Sequence, residues 1–144
     1  MRLLCFQARH FGWRSFLKTV DEIGGEPVPD VSVDEEVRDC VVVFAHAEPA
    51  DEIDDESRKR VFKQSLKHVK WLANKRSLTN VVLHSFTHLG PDSASPGFAR
   101  DLLNELAERL RATSYEVRCT PFGYLCEWRI DVFGESLAKV FKQI

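Results

Sequence analysis

The run Asp-Cys-Val-Val-Val-Phe-Ala-His-Ala at residues 39–47 limits the fold more than any other part of the chain. β-Branched and aromatic side chains suit a pleated, buried surface, and this is the most strongly β-branched stretch present. A central strand is expected there, so the chain is organised by a sheet. Residues 3–8 read as a short buried strand that could continue through His10, Phe11, Trp13 and Phe16 as an irregular hairpin, with helix the competitor over residues 14–23. Gly24, Gly25, Pro27, Pro29 and Asp30 make a loop without periodicity.

Two long helices are expected on the sheet. Val61, Phe62, Leu66, Val69, Leu72 and Ala73 recur at helical spacing over residues 57–75, leaving Arg58, Lys59, Lys63, Lys67 and Lys70 in water. Ser95-Pro96 is an N-cap and first-turn pair, followed by a stripe of Phe98, Leu102, Leu103, Leu106 and Leu110. Between them, residues 80–84 form a strand that runs into the loop Ser85-Phe-Thr-His-Leu-Gly-Pro91. In a sheet covered by helices, that end of a strand is where ligands usually sit.

Pro121-Phe122-Gly123 interrupts two strand-like runs, residues 115–120 and 124–132, which read together as a bulged hairpin. After Gly134 a short helix is expected over residues 135–143, with Leu137, Val140 and Phe141 inward. The order β, β, β, α, β, α, β, β, α gives a mixed β-sheet packed with helices, class α/β or α+β.

At 144 residues and 44% hydrophobic the chain fits one domain, residues 1–144. A net charge of -2 removes the bulk argument for a nucleic-acid binder and leaves room for a local basic face. Charge is in fact segregated, with acids crowded between Asp30 and Glu56 and cations between Arg58 and Arg76. Cys5, Cys40, Cys119 and Cys126 show no paired spacing, so neither zinc nor disulfides is suggested. No apolar run is long enough for a signal peptide or a membrane span, and a cytoplasmic protein with reduced thiols is expected.

Chemistry-bearing residues are few. His84 and His88 lack a clear third ligand, so no metal is expected. Cys126 would need a base and a lowered thiol pKa to act as a nucleophile, and a packed strand cysteine is the simpler reading. There is no GxSxG, P-loop or GxGxxG motif, and no cofactor is implied. The residues themselves support a pocket between the Ser85–His88 loop and the Pro121–Cys126 corner.

Met1-Arg-Leu-Leu, Asn80-Val-Val-Leu, Phe86-Thr-His-Leu89, Pro96, Asp101-Leu-Leu-Asn104 and Pro121-Phe-Gly-Tyr124, in this order, resemble the archaeal threonyl-tRNA synthetase editing domain, whose fold is shared with D-aminoacyl-tRNA deacylase. The resemblance implies hydrolysis of serine wrongly esterified to tRNA(Thr), by a water helped by the ribose 2′-hydroxyl of the terminal adenosine. It implies a homodimer, the aminoacylated tRNA(Thr) 3′ end as ligand, and the catalytic module of a synthetase as possible neighbour. A free-standing factor and an excised domain both fit. His88 matches the family's pocket histidine, and Phe122, Gly123 and Tyr124 match its adenosine-side corner. Ser85 and Thr87 stand where the family more often has proline and alanine. Where it places a second tyrosine and a catalytic lysine, this chain has Leu125 and Cys126, and Lys139 aligns with its usual glutamate. One reading returns an ammonium to the pocket through Lys139, making Lys139, Cys126 and His88 the catalytic set. The alternatives are a lapsed domain that binds tRNA or serves assembly, and a deacylase of another aminoacyl specificity.

Overall fold

The computed structural model describes residues 1–144. A six-stranded mixed sheet runs β6-β5-β4-β1-β7, with β8 also pairing β1. The strands are β1 (Arg2–Lys18), β4 (Asp34–His46), β5 (Asn80–Ser85), β6 (Glu116–Cys119), β7 (Tyr124–Val132) and β8 (Lys139–Gln143). A separate two-residue hairpin, β2 (Glu22–Ile23) and β3 (Glu26–Pro27), turns on Gly24 and Gly25, both at positive φ. The helices are α1 (Asp55–Asn74) and α2 (Pro96–Arg111).

The apolar run of β4 is central because both its faces are covered. Val41, Val43 and Ala45 pack with Leu72 of α1 and Leu102, Leu106 and Leu110 of α2. Cys40, Val42 and Phe44 face the other way, onto Phe11, Trp13 and Val82. Period-two alternation thus divides one strand between two cores. The helices begin where their caps place them: Asp54 accepts from the Ser57 amide at 2.7 Å, and Ser95 accepts from the Phe98 amide at 3.3 Å ahead of Pro96.

Three expectations are corrected. Residues 2–18 form one bent strand, neither a hairpin nor a helix. Phe11 and Trp13 are fully buried on the sheet, and irregularities opposite β7, between Ala8 and His10 and between Ser15 and Leu17, let the strand bend.

Secondly, β6 and β7 are not a hairpin but lie on opposite edges of the main strand path. An extended link from Cys119 to Tyr124 reaches roughly 18 Å, while the edges of a flat five-stranded sheet stand roughly 19 Å apart. Because Phe122 and Gly123 form a turn, the link is shorter than that and the sheet must curl. The curl brings Trp128 of β7 to 4.8 Å from Phe44 and 5.1 Å from His84, ring centre to ring centre.

Thirdly, residues 135–143 form a single 3-10 turn, Ser136–Ala138, and then β8 rather than a helix. β7 covers β1 only from Ala8 onward, so the edge of Arg2–Phe6 is open and β8 completes that ladder. Leu137 and Phe141, expected inward, are exposed, while Val140 is half-buried. All four cysteines are free, and no helix is long and apolar enough to cross a membrane.

Candidate functional site

A cleft of about 390 Å³ opens at the C-terminal ends of β4 and β5. Ala45 and Ala47 leave room for it, and its walls come from the Ser85–His88 loop, the first turn of α2 and the Pro121–Cys126 corner, with Trp128 beyond. Its size is that of small-molecule sites. Ser85, Thr87, His88, Phe122, Gly123, Tyr124 and Cys126 all line it. The curl of the sheet is what joins them, because it carries the start of β7 back over the end of β5.

The loop after β5 is fixed from below by two side chains that the sequence reading left unassigned. His46, at the buried end of β4, accepts the Leu89 amide on Nδ1 at 3.1 Å, which leaves the proton on Nε2. Nε2 donates to the Asp92 carbonyl at 2.9 Å and lies 3.1 Å from the Ser93 hydroxyl. Arg2 donates to the Leu89 carbonyl at 2.7 Å while its Nε pairs with Glu48 at 2.9 Å. A Cβ on Gly90 would sit 3.0 Å from Arg2 and 3.2 Å from His46, so glycine lets the loop lie against its clamp. Burial works to raise the Glu48 carboxyl, but the hydrogen bond and charge of the Met1 ammonium outweigh it and hold the group below the usual carboxylate range.

The corner is equally constrained. Gly123 has φ +80°, and its carbonyl accepts from the amides of Thr19 and Val20 at 2.7 and 3.2 Å and from the Thr19 hydroxyl at 3.1 Å. The Tyr124 hydroxyl donates to the Pro29 carbonyl at 3.1 Å and accepts from the Val31 amide at 3.0 Å. Tyr124 therefore presents its ring to the cleft while its polar end anchors the loop before β4.

Burial holds two groups of the cleft in their neutral forms. His84 is buried against Phe44, Phe86 and Trp128, and burial pulls its pKa down to about 4, so it is neutral near pH 7. Burial pushes the Cys126 thiol up, opposite to what a thiolate nucleophile needs. His88 is exposed at the rim, edge-on to Phe86 at 5.3 Å. No lysine, arginine, aspartate or glutamate lines the cleft. Lys139 is the one expected site residue that the fold sets apart. As a residue of β8 opposite Phe6 it is exposed and outside the cleft wall, so an ammonium relocated there from a helix does not fit.

The family model for the archaea-specific editing domain of threonyl-tRNA synthetase matches residues 1–144. The chain belongs to this family. Similar proteins include the threonine–tRNA ligases of Methanopyrus kandleri, 31% identical over 144 residues, Staphylothermus marinus, 27% over 145, and Pyrobaculum calidifontis, 30% over 141. These matches cover 97% or more of this chain and 22% of each ligase, so the editing domain spans about a fifth of the curated relatives. Among solved structures, the c-Myc DNA unwinding element binding protein superposes over 100% of this chain and 99% of its own with a TM-score of 0.62 at 12% identity. That likeness concerns the fold alone, an α/β arrangement of a curled mixed sheet packed with helices.

Within the editing domain, two of the motifs that carry the likeness lie in the segments the curl brings together, Phe86–Leu89 and Pro121–Tyr124. His46 belonged to no motif, and Arg2 stood in the Met1-Arg-Leu-Leu start without a role. The signal of His46 was a polar residue ending an otherwise apolar strand, which reads as a strand end until the loop above it is known.

Proposed function

We propose that this editing domain hydrolyses the ester joining serine to the 3′ end of tRNA(Thr). A synthetic site for threonine gains only roughly 1–3 kcal/mol from one methyl group, so serine is poorly rejected there and a second, hydrolytic site is needed. The observation that carries the reading is one cleft shared by the His88 loop and the Phe122–Tyr124 corner, on a floor of alanines. Water adds to the ester carbonyl, the bond to the ribose oxygen breaks, and that oxygen takes up the proton as serine leaves. The cleft holds no carboxylate, no ammonium and no activated thiol. The resemblance to the family supplies the assisting group, the ribose 2′-hydroxyl of the substrate. Ser85, Thr87 and His88 serve as rim contacts to the aminoacyl end, and Phe122, Gly123 and Tyr124 as the adenosine side.

Deacylation of Ser-tRNA(Thr), Thr-tRNA(Thr) and a D-aminoacyl-tRNA tests the assignment. Selective release of serine is expected, together with its loss when the terminal adenosine lacks the 2′-hydroxyl. Release that ignores the missing hydroxyl would sink the substrate-assisted route.

Leu125 and Cys126 in place of the expected tyrosine and lysine favour one second reading, a lapsed domain that holds tRNA or positions it for a synthetase. An inert wild type that binds tRNA is its signature. A cytoplasmic setting and a homodimer complete the proposal. β7 offers one unpaired edge beside exposed Phe16, Leu17 and Leu125, and light scattering should give twice the chain mass.

A further inference from the structure

Charge in this protein is divided between one helix and the rest. Residues 55–76 carry eight Lys and Arg against two Asp and Glu, whereas the remainder carries twelve against twenty. Only the outer cations are paired, Arg58 with Glu105 at 2.6 Å and Arg76 with Glu135 at 2.6 Å. Lys59, Arg60, Lys63, Lys67, Lys70 and Lys75 form no ion pair, and helical geometry puts them on the arc of α1 opposite Val61, Ser65, Val69 and Leu72. At 1.5 Å per residue the row is about 24 Å long. Trp71 stands 40% exposed within it, with His68 stacked at 5.6 Å and the Lys75 ammonium 5.8 Å from its ring centre. His68 Nε2 is buried without a partner. An amphipathic helix needs neither this one-signed charge nor an exposed tryptophan to dock on a sheet.

The position of the row adds the second argument. α1 starts eight residues after Ala47, which lines the cleft, and ends shortly before β5 begins, at the far end of the sheet. It therefore leads away from the cleft along the molecule's side. We infer that the outer face of α1 binds the phosphate backbone of the tRNA duplex adjoining the aminoacylated end. This rests on aminoacylated tRNA being the ligand of the cleft. Lys59, Lys63, Lys67 and Lys70 neutralise successive phosphates and release their counterions, while Trp71 and Lys75 close the distal end of the row.

The test compares wild type, a variant with Lys59, Lys63, Lys67 and Lys70 all changed to Gln, and one with all four changed to Arg. Binding of an uncharged tRNA(Thr) transcript is measured across a salt series, and hydrolysis is measured on seryl-adenosine, which cannot reach α1. At 0.1 M salt the Gln variant should bind tRNA roughly 100–1,000-fold more weakly, with the slope of log K against log salt reduced by about 3.6. The Arg variant should bind like wild type, which separates charge from folding, and seryl-adenosine turnover should be equal in all three. Unchanged tRNA affinity and slope in the Gln variant would overturn the inference and leave the cation row to an acidic protein surface. If wild type hydrolyses neither Ser-tRNA(Thr) nor seryl-adenosine but binds tRNA through the row, the editing reading fails and the surface stands. If wild type does not bind tRNA at all, the surface is wrong.

Discussion

His84 and Thr120 are locked together at the back of the cleft, with Nδ1 and Oγ1 2.7 Å apart and both side chains buried. The bond ties the end of β5 to the corner that leads into β7, and the imidazole that makes it is held neutral. Burial depresses the folded pKa to about 4 from the ordinary 6.5 of a histidine, so between these values the unfolded chain binds the proton and the folded one does not. Stability must therefore rise with pH across that window and fall on acidification. From pH 7 to pH 5 the loss should be about 2 kcal/mol, or about 4–8 °C in Tm. His84→Leu should flatten this part of the Tm profile. A wild-type Tm that is level from pH 7 to 5 would contradict a neutral buried His84.

Gly123 predicts a second behaviour. An alanine there must adopt φ +80° and would place its Cβ 3.0 Å from that of Val20. The conformation alone costs about 1–2 kcal/mol for an L residue. Gly123→Ala should lower the urea midpoint and weaken binding of the adenosine end. Adding Val20→Gly, which removes that Cβ, should recover the contact but not the backbone cost, so partial rescue is expected and full rescue would refute the strained-corner account.

His46 should behave as a positioning residue. His46→Leu leaves the Leu89 amide and the Asp92 carbonyl without their partner, and a buried unsatisfied group costs roughly 1–3 kcal/mol. Amide hydrogen exchange at Leu89 should accelerate, and turnover should fall without any contact to substrate being lost. Slow exchange retained at Leu89 would show that the loop holds itself.

What the sequence revealed follows the range of the forces involved. Helical periodicity and caps are local, so α1 and α2 were legible to within two residues at either end, as was the central strand from Asp39 onward. Pairing is not local. The apolar alternation of β7 and the tail Leu137, Val140 and Phe141 are equally compatible with a hairpin, a helix or a lone edge strand, and only the open edge of β1 decides among them. The cleft was legible because both its walls carry loop signals, Pro and Gly, beside polar residues. Its clamp was not, since the role of His46 depends on which loop folds above it. Lys139 shows the same limit, because reading residues 135–143 as a helix put an ammonium where the chain instead runs along β1.

The sharpest division of labour lies among Cys126, Lys139 and His88. Cys126 sits in the cleft wall, but its thiol is pushed up by burial, so little thiolate exists near neutral pH. Lys139 is exposed on β8 beyond the wall, and His88 alone combines a position in the wall with exposure to solvent. With substrate assistance supplying the proton transfer, Cys126→Ala and Lys139→Ala should both retain seryl-ester hydrolysis within about threefold of wild type. A residue that truly transferred the proton would cost about 100-fold or more. His88→Ala should lower turnover of aminoacyl ester more than either, through loss of a contact at the rim. Single-turnover hydrolysis of Ser-tRNA(Thr) by the three variants checks this, and iodoacetamide labelling of Cys126 should be slow at pH 7. A hundredfold loss in Cys126→Ala, or rapid labelling, would return the thiol to the mechanism and displace the substrate-assisted route.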